Sequence, residues 1–481
     1  MADGHAEAAV DIPRQVSKST GSRDGYSGSP TSRLPAEIYQ MIVKHIVLHY
    51  DRCNDDQKAI RAKTLSSLAR TSRTLQCLTE PYIYSFPEGS RLQISQGLEQ
   101  FRQSLAADSR RANLVQVLEF EWDNQMSSQR LVIDIAQRCP NLRTLMLECP
   151  QTVGRRDEFS QTCVDNLANL FSVCHKVTKL RLSACFAEDF PMPKQDGLID
   201  KFAGQLSHVE LRGACAWFKK AVLPYLSPNL ISFVMLYPGP GDHTGFLKTL
   251  GQRCPVLQRL KIRCRGMTPV DLATLCKALG STLKLLCLDD LDYDGSILSG
   301  LFPHMQVLEH LILGQDFPLH LQDMEAMSSL SCLGTFIAEV YSNNPRWFFL
   351  GAANDDVDRA LASFLFAHRM TLETVWLDSY FSSKRAILDS LKLVPKLGSL
   401  GLLVLNRLER KDVDDLLEAC PRLREAPDLE KCLNEMFRDG VDSDDETPLW
   451  IGYHDHTWWE DDRPEWDAGW SVGLRQPQDK I

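Results

Sequence analysis

The chain has 481 residues, 44% hydrophobic and 24% charged, a balance that suits a folded protein with a sizeable core. Its net charge of −10 argues against a general nucleic-acid binder, and no run approaches the roughly 18 apolar residues of a membrane helix. The 15 cysteines include no CxxC pair and follow no secretory leader, so they are expected to be reduced and buried in a protein of the cytoplasm or nucleus.

Residues 1–33 lack an apolar period and are expected to stay disordered. From 34 to 86 the pattern becomes helical. Leu34-Pro35 opens a helix on which Ile38, Ile42 and Ile46 recur every four residues as an apolar stripe. A polar connection follows over 51–63, then further helix marked by Leu65, Leu68, Ala69, Ser72, Leu75 and Leu78. Pro81 is expected to end it, because proline disfavours helix in the residue before it.

Over 87–425 the dominant signal is repetition of L-x-x-L-x-L. The triplets are Val115/Leu118/Phe120, Leu142/Leu145/Leu147, Val177/Leu180/Leu182, Leu206/Val209/Leu211, Leu230/Phe233/Met235 and Leu257/Leu260/Ile262. They continue as Leu283/Leu286/Leu288, Leu308/Leu311/Leu313, Leu333/Phe336/Ala338, Leu372/Val375/Leu377 and Leu397/Leu400/Leu402, with a degenerate remnant at Leu423. Seven of the ten spacings lie between 24 and 27, the leucine-rich repeat period, and the two longest carry insertions at 151–161 and 341–356. The fold class expected is α/β. Short parallel strands line the concave face of a solenoid, helices cover its convex face, and a small all-α head precedes it. Cys-Pro-x-Leu at 139–142, 254–257 and 420–423 marks each passage from helix to strand, with the cysteine packed against the leucine layer.

Residues 426–481 lose the period and alternate acidic clusters with Trp450, Trp458, Trp459, Trp466 and Trp470, as a cap on the last repeat or a tail with docking aromatics.

Strand alternation turns the residues between the leucines to the concave side. There the candidates for target binding are Lys179, Arg181, Arg212, Val234, Leu236, Arg259, Lys261, Arg263 and Trp376. A locally basic strip broken by Val234 and Leu236 suits an acidic or phosphorylated protein segment with an apolar anchor. No phosphate-binding loop, nucleophile elbow or zinc-binding helix motif is present. PGPGD at 238–242 is a turn, and His454 and His456 are two solvated histidines. No catalytic group, metal site or cofactor is therefore expected, and the partners expected include neither nucleic acid nor membrane.

Leu34-Pro35 and Glu37-Ile38, then Leu65, Leu68, Ser72, Arg73 and Tyr84, resemble an F-box of the divergent fungal type. The array behind them resembles that of F-box/leucine-rich-repeat proteins, so the resemblance covers about 34–425. It departs at the charged connection 49–63 and at Leu75, where many F-boxes carry tryptophan. The resemblance implies a substrate-recognition adaptor of a ubiquitin ligase. The head would bind a Skp1-like adaptor, and through it a cullin, while other subunits carry out ubiquitin transfer. Leu34, Pro35, Ile38, Ile42, Leu65 and Leu68 are the candidate contacts, being too many apolar groups for so small a head to bury alone. The alternatives are a non-catalytic scaffold whose head only caps the first repeat, and an F-box protein acting in complex assembly outside ligases.

Overall fold

The computed structural model describes residues 35–49, 55–87, 92, 95–123, 125–148, 160–183, 197–213, 216–236, 244–289, 291, 295–314, 317, 319–338, 354–381, 384–404, 409–426, 429–437 and 447–451. The sequence readings made for 1–33, Leu34, the two insertions, the PGPGD turn and the histidines at 454 and 456 lie largely or wholly outside them.

Three helices form the head: α1 (Ala36–His49), α2 (Asp55–Ala69) and α3 (Arg73–Ser85). Two expectations are corrected here. The polar stretch read as a connection contributes to α2 from Asp55 onward, because Lys, Gln, Ala and Arg are good helix formers whatever their polarity. Helix α3 continues through Pro81 to Ser85. Its start is secured by Ser72, whose hydroxyl accepts the Leu75 N–H at 3.2 Å. Its end is secured by packing: Tyr82, Ile83 and Phe86 join the buried cluster of Val43, Val47 and Leu65, and tertiary contact outweighs the one hydrogen bond proline forfeits.

That cluster also contains Val117 and Met146 from the first two strands, so the head is packed onto the repeats. A buried carboxylate strengthens the joint. Glu80 is 3% exposed and accepts from Gln76 at 2.9 Å, from Arg111 at 3.1 Å and from Arg110. Both arginines belong to α5 (Ser109–Leu114), which follows α4 (Ser95–Ala107). Tyr84 adds a hydroxyl contact to Ser104 at 2.8 Å and lies beneath the Arg111 guanidinium.

The strands are β1 (Val117–Glu121), β2 (Thr144–Glu148), β3 (Lys179–Ser183), β4 (His208–Arg212), β5 (Ser232–Leu236) and β6 (Arg259–Arg263). They continue as β7 (Leu285–Asp289), β8 (His310–Leu313), β9 (Thr335–Ala338), β10 (Thr374–Phe381), β11 (Ser399–Val404) and β12 (Thr447–Ile451). They pair in sequence order in one 12-stranded sheet. From β1 to β11 all pairings are parallel, and the second and third residues of each predicted triplet land in register with those of the next: Leu118 beside Leu145, Leu180 beside Val209, Leu260 beside Leu286, Val375 beside Leu400. The leading residue of each triplet, from Val115 to Leu397, is at most 3% exposed. Helices such as Met126–Arg138, Gln161–Val173 and Pro269–Leu279 lie between the strands, and their apolar faces complete one continuous core with the leucines.

The Cys-Pro-x-Leu punctuation acts through the backbone. Cys139 and Cys420 are helix C-caps, and the Leu142, Leu257 and Leu423 N–H groups close back on the Cys139, Cys254 and Cys420 carbonyls at 3.1, 3.2 and 3.0 Å. Burial pushes the Cys139, Cys174 and Cys254 thiols up to about 12 and the Cys420 thiol to about 11.

At the C-terminal end the repeat remnant departs from expectation. Leu423 is buried, but in a 3₁₀ turn (Pro421–Glu425), with no strand at the supposed repeat remnant. The array is instead closed by a helix (Leu429–Met436) and by β12, which pairs antiparallel with β11 and buries Ile451 in the core. A terminal strand needs such a cover, because its unpaired edge would otherwise template association.

Replacing Glu80 by alanine leaves Arg111 without its buried partner. Arg110 remains half in water, which places the cost near the low end of the range for broken buried pairs, about 3 kcal/mol. Chemical denaturation of the full chain checks it, and Glu80→Gln should recover about half of the loss.

Candidate target-binding surface

Strand pleating leaves one face of the sheet turned away from the repeat helices, here the inner face. In-register pairing arranges its residues in rows. The middle row reads Glu119, Met146, Arg181, Glu210, Val234, Lys261, Cys287, Ile312, Ile337, Trp376 and Gly401. All nine predicted target-binding residues fall on this face. The rows divide it into three zones.

The first zone, on β1 and β2, is acidic and partly occupied by the head. Val117 and Met146 lie beneath the head helices. Glu119, Glu121 and Glu148 supply the charge, and burial, with Asp123 and Glu148 nearby, raises the Glu121 carboxyl above its ordinary range.

The second zone, on β3 to β6, carries Lys179, Arg181, Arg212, Arg259, Lys261 and Arg263. A residue not among the predicted contacts organises its near half. Glu210 on β4 is 4% exposed and sits between Arg181, at 3.5 Å, and Arg212. These arginines therefore already fork around an internal carboxylate, which corrects the expectation that they face a target's acid first. The buried carboxylate offsets the charge of one of the two arginines. The far half is β6, where Lys261 is largely buried between Val234 and Cys287, and Arg259 and Arg263 flank it half-exposed. Val234 is itself buried, and Leu236 is half-exposed at the edge.

The third zone, on β7 to β10, is apolar. Cys287, Ile312, Ile337 and Trp376 form a second hydrophobic cluster on the inner face, separate from the leucine core, with no member more than 7% exposed. Trp376 was expected to face a target from an open surface. Instead its indole lies flat across Gly401, where a Cβ would overlap the ring, and its N–H donates to the Ser399 hydroxyl at 3.0 Å. The signal for this zone was present in the sequence: LLCLD, HLIL, TFIA and TVWL have no polar residue at the middle position, the mark of strands buried on both faces.

On the head, the candidate contacts separate. Pro35, Ile38 and Ile42 are exposed, the last two at 38% and 40%. Leu65 is in the head's own core and Leu68 is half-buried. The inward stripe of α1 is Val43 and Val47, so the isoleucine stripe points mainly outward, with Met41 at 65% and Ile60 at 48% adding to the exposed apolar set. Met41 and Ile60 were not anticipated, because neither falls on the four-residue period.

Among the described residues no group of histidine, cysteine and acidic side chains is placed to hold a metal ion, and no helix is long and apolar enough to cross a membrane. No protein-family model matches the sequence, and no curated protein matches it. Among solved structures, a chain in the crystal structure of the Rad7 and Elc1 complex in yeast is similar at 14% identity, with a TM-score of 0.38, over 76% of this chain and 91% of that one.

The indole–glycine contact gives a checkable expectation. Gly401→Ala forces the Trp376 ring off its seat and should cost about 1–3 kcal/mol, as overpacking does. Trp376→Leu in the same chain should remove most of that cost, so a double-mutant cycle on thermal or denaturant stability should show strong coupling.

Proposed function

We propose that the chain is a non-catalytic adaptor of the cytoplasm or nucleus: its head docks on a helical partner of the Skp1 type, and its inner face holds a protein target. The observation that carries this is the division of α1. Val43 and Val47 turn inward, while Ile38, Met41 and Ile42 stay in water on α1 and Ile60 does so on α2. A head whose only task was to cap the first repeat would have no use for four large exposed apolar side chains on its outer helices. Exposed apolar side chains at successive turns of one helix, as at Ile38, Met41 and Ile42, suit a protein-docking surface. The capping role is real but belongs to the other face, through Val117 and Met146.

The F-box resemblance supports a cullin-linked ubiquitin ligase as the assembly, with this chain supplying proximity and orientation and its other subunits the chemistry. The target is a protein segment with acidic or phosphorylated residues, received on β3 to β6. Arg259 and Arg263 suit carboxylate or phosphate oxygens, and Leu236 offers an apolar edge beside them.

Pull-down of a purified Skp1-like adaptor by the full chain is the test. Ile42→Asp and Met41→Asp, both on exposed positions, should lower capture at least tenfold with little change in melting temperature. If the wild-type chain captures no such adaptor, the ligase reading is wrong. In the captured complex, charge reversal at Arg259, Lys261 and Arg263 should abolish retention of the target without loss of the adaptor.

A further inference from the structure

The leading residue of a repeat returns its N–H to the carbonyl of a capping residue, and one of these caps is an imidazole. Cys254, Leu279, Val394 and Cys420 hold the place before Leu257, Leu283, Leu397 and Leu423, with N–H to carbonyl distances of 3.2, 3.0, 3.1 and 3.0 Å. Before Leu372 the place belongs to His368, whose carbonyl receives the Leu372 N–H at 2.9 Å. Its side chain also repeats the contact of a capping cysteine. The Cys420 thiol donates to the Leu391 carbonyl of the preceding repeat at 3.4 Å, and the His368 Nε2 lies 2.9 Å from the Met327 carbonyl. Leu391 and Met327 are equivalent, each six residues before its leading leucine, Leu397 or Leu333. A carbonyl only accepts, so Nε2 carries the proton of the neutral ring and Nδ1 is where a second proton would go.

The surroundings suit the neutral ring alone. His368 is 2% exposed and packs against the Phe364 ring, centroids 4.8 Å apart. Its helix (Asn354–Ala367) lies between the helices Leu321–Met327 and Lys384–Leu391. Charged groups on and beside these elements are engaged elsewhere or face water. Asp323 accepts from the Ser296 hydroxyl at 2.7 Å and the Leu298 N–H at 2.9 Å, and Glu325 is exposed. Arg359 pairs with Asp356 at 3.2 Å, Asp389 with Lys392 at 3.4 Å, and Glu373 with Arg422 at 3.2 Å. Arg369 lies over the Phe366 ring, and Asp358 is buried on the same helix, ten residues earlier. Burial holds the His368 ring below the ordinary histidine range, opposed less strongly by the Met327 bond, which favours the charged form.

We infer that His368 is an acid-sensitive latch between the repeats of β9 and β10: a proton added at Nδ1 puts a charge in the core, and the C-terminal repeats open from the rest of the array. Above the ordinary histidine range the ring is neutral in both the closed and the open state, and the latch holds in full. As pH falls below that range the open state takes the proton first, so closure weakens until the closed form titrates too. Strands β10 and β11 carry the Trp376 ring and its Gly401 seat, so the same opening disturbs the apolar zone of the inner face.

Hydrogen exchange of the full chain at pH 7.5 and pH 5.5, read by mass spectrometry and corrected for the intrinsic rate, measures this opening. Three chains are compared: the wild type, His368→Cys, which installs the residue of the sister caps, and His310→Gln, which removes the half-buried imidazole of β8. In peptides spanning β10 and β11 the wild type should open more at the lower pH. The part of that rise removed by His368→Cys should lie between about threefold and about elevenfold, the ceiling set by one histidine of ordinary pKa about 6.5. His310→Gln should keep the rise, and peptides of β5 and β6 should change less than about twofold in all three chains. An equal rise in the wild type and His368→Cys overturns the proposal. Exchange of the imidazole C2 hydrogen in the wild type reads the titration of His368 itself and needs no folded variant. A midpoint below the ordinary range supports the proposal, and one within or above it overturns the proposal.

Discussion

Lateral register between aliphatic side chains is the interaction on which everything else in this molecule depends. Each strand contributes two inward residues, and these stack directly on those of the next strand from β1 to β11. A slip of one residue would exchange the core for the inner face along a whole strand, so burial specifies the register strongly. Once the ladder is set, residues far apart in the chain become neighbours. Arg181, Glu210 and Arg212 meet because Lys179–Ser183 lies beside His208–Arg212, one repeat away. The charge zones on the inner face are therefore consequences of the ladder together with the choice of one residue per strand.

Periodicity made the array legible because a repeated apolar triplet has one economical way to bury itself. Every triplet from Val115 to Leu402 corresponds to a strand, and the intervening helical patterns correspond to helices. What escaped sequence reasoning depends on contacts between repeats or between head and repeats. Pro81 lies inside a helix because Tyr82, Ile83 and Phe86 have a cluster to join. Ile38 and Ile42 form a regular stripe, yet Val43 and Val47 are the residues facing Leu65, since two candidate stripes on one helix differ only in where the neighbouring helix lies. Nothing in the sequence around Glu210 sets it apart from other charges between the leucine positions, and only the pairing of β3 with β4 shows that it is the centre of an arginine pair. The strand at Thr447–Ile451 has no period to announce it, because it pairs once, antiparallel, at an edge.

The joint between head and repeats bears on the proposed adaptor role. The Gln116 N–H donates to the carbonyl of Ser85, the last residue of α3, at 3.1 Å, so hydrogen bonding continues across the junction. With Glu80 buried beneath Arg110 and Arg111, the outer face of α1 is held at a set angle to the inner face of the sheet. On the proposed function, two docking surfaces on one stiff body would present one bound molecule to another at a defined distance, which a flexible linker would spread over many arrangements.

The capping cysteines carry a consequence for handling and for measurement. With burial pushing these thiols well above their ordinary range, the reactive anion is scarce at neutral pH. Oxidants and alkylating reagents are thus blind to Cys139, Cys174 and Cys254 until the surrounding repeat opens. Because these residues are spread along the array, their labelling times amount to a built-in recording of which repeats breathe first, obtainable from the natural chain without introducing a single probe.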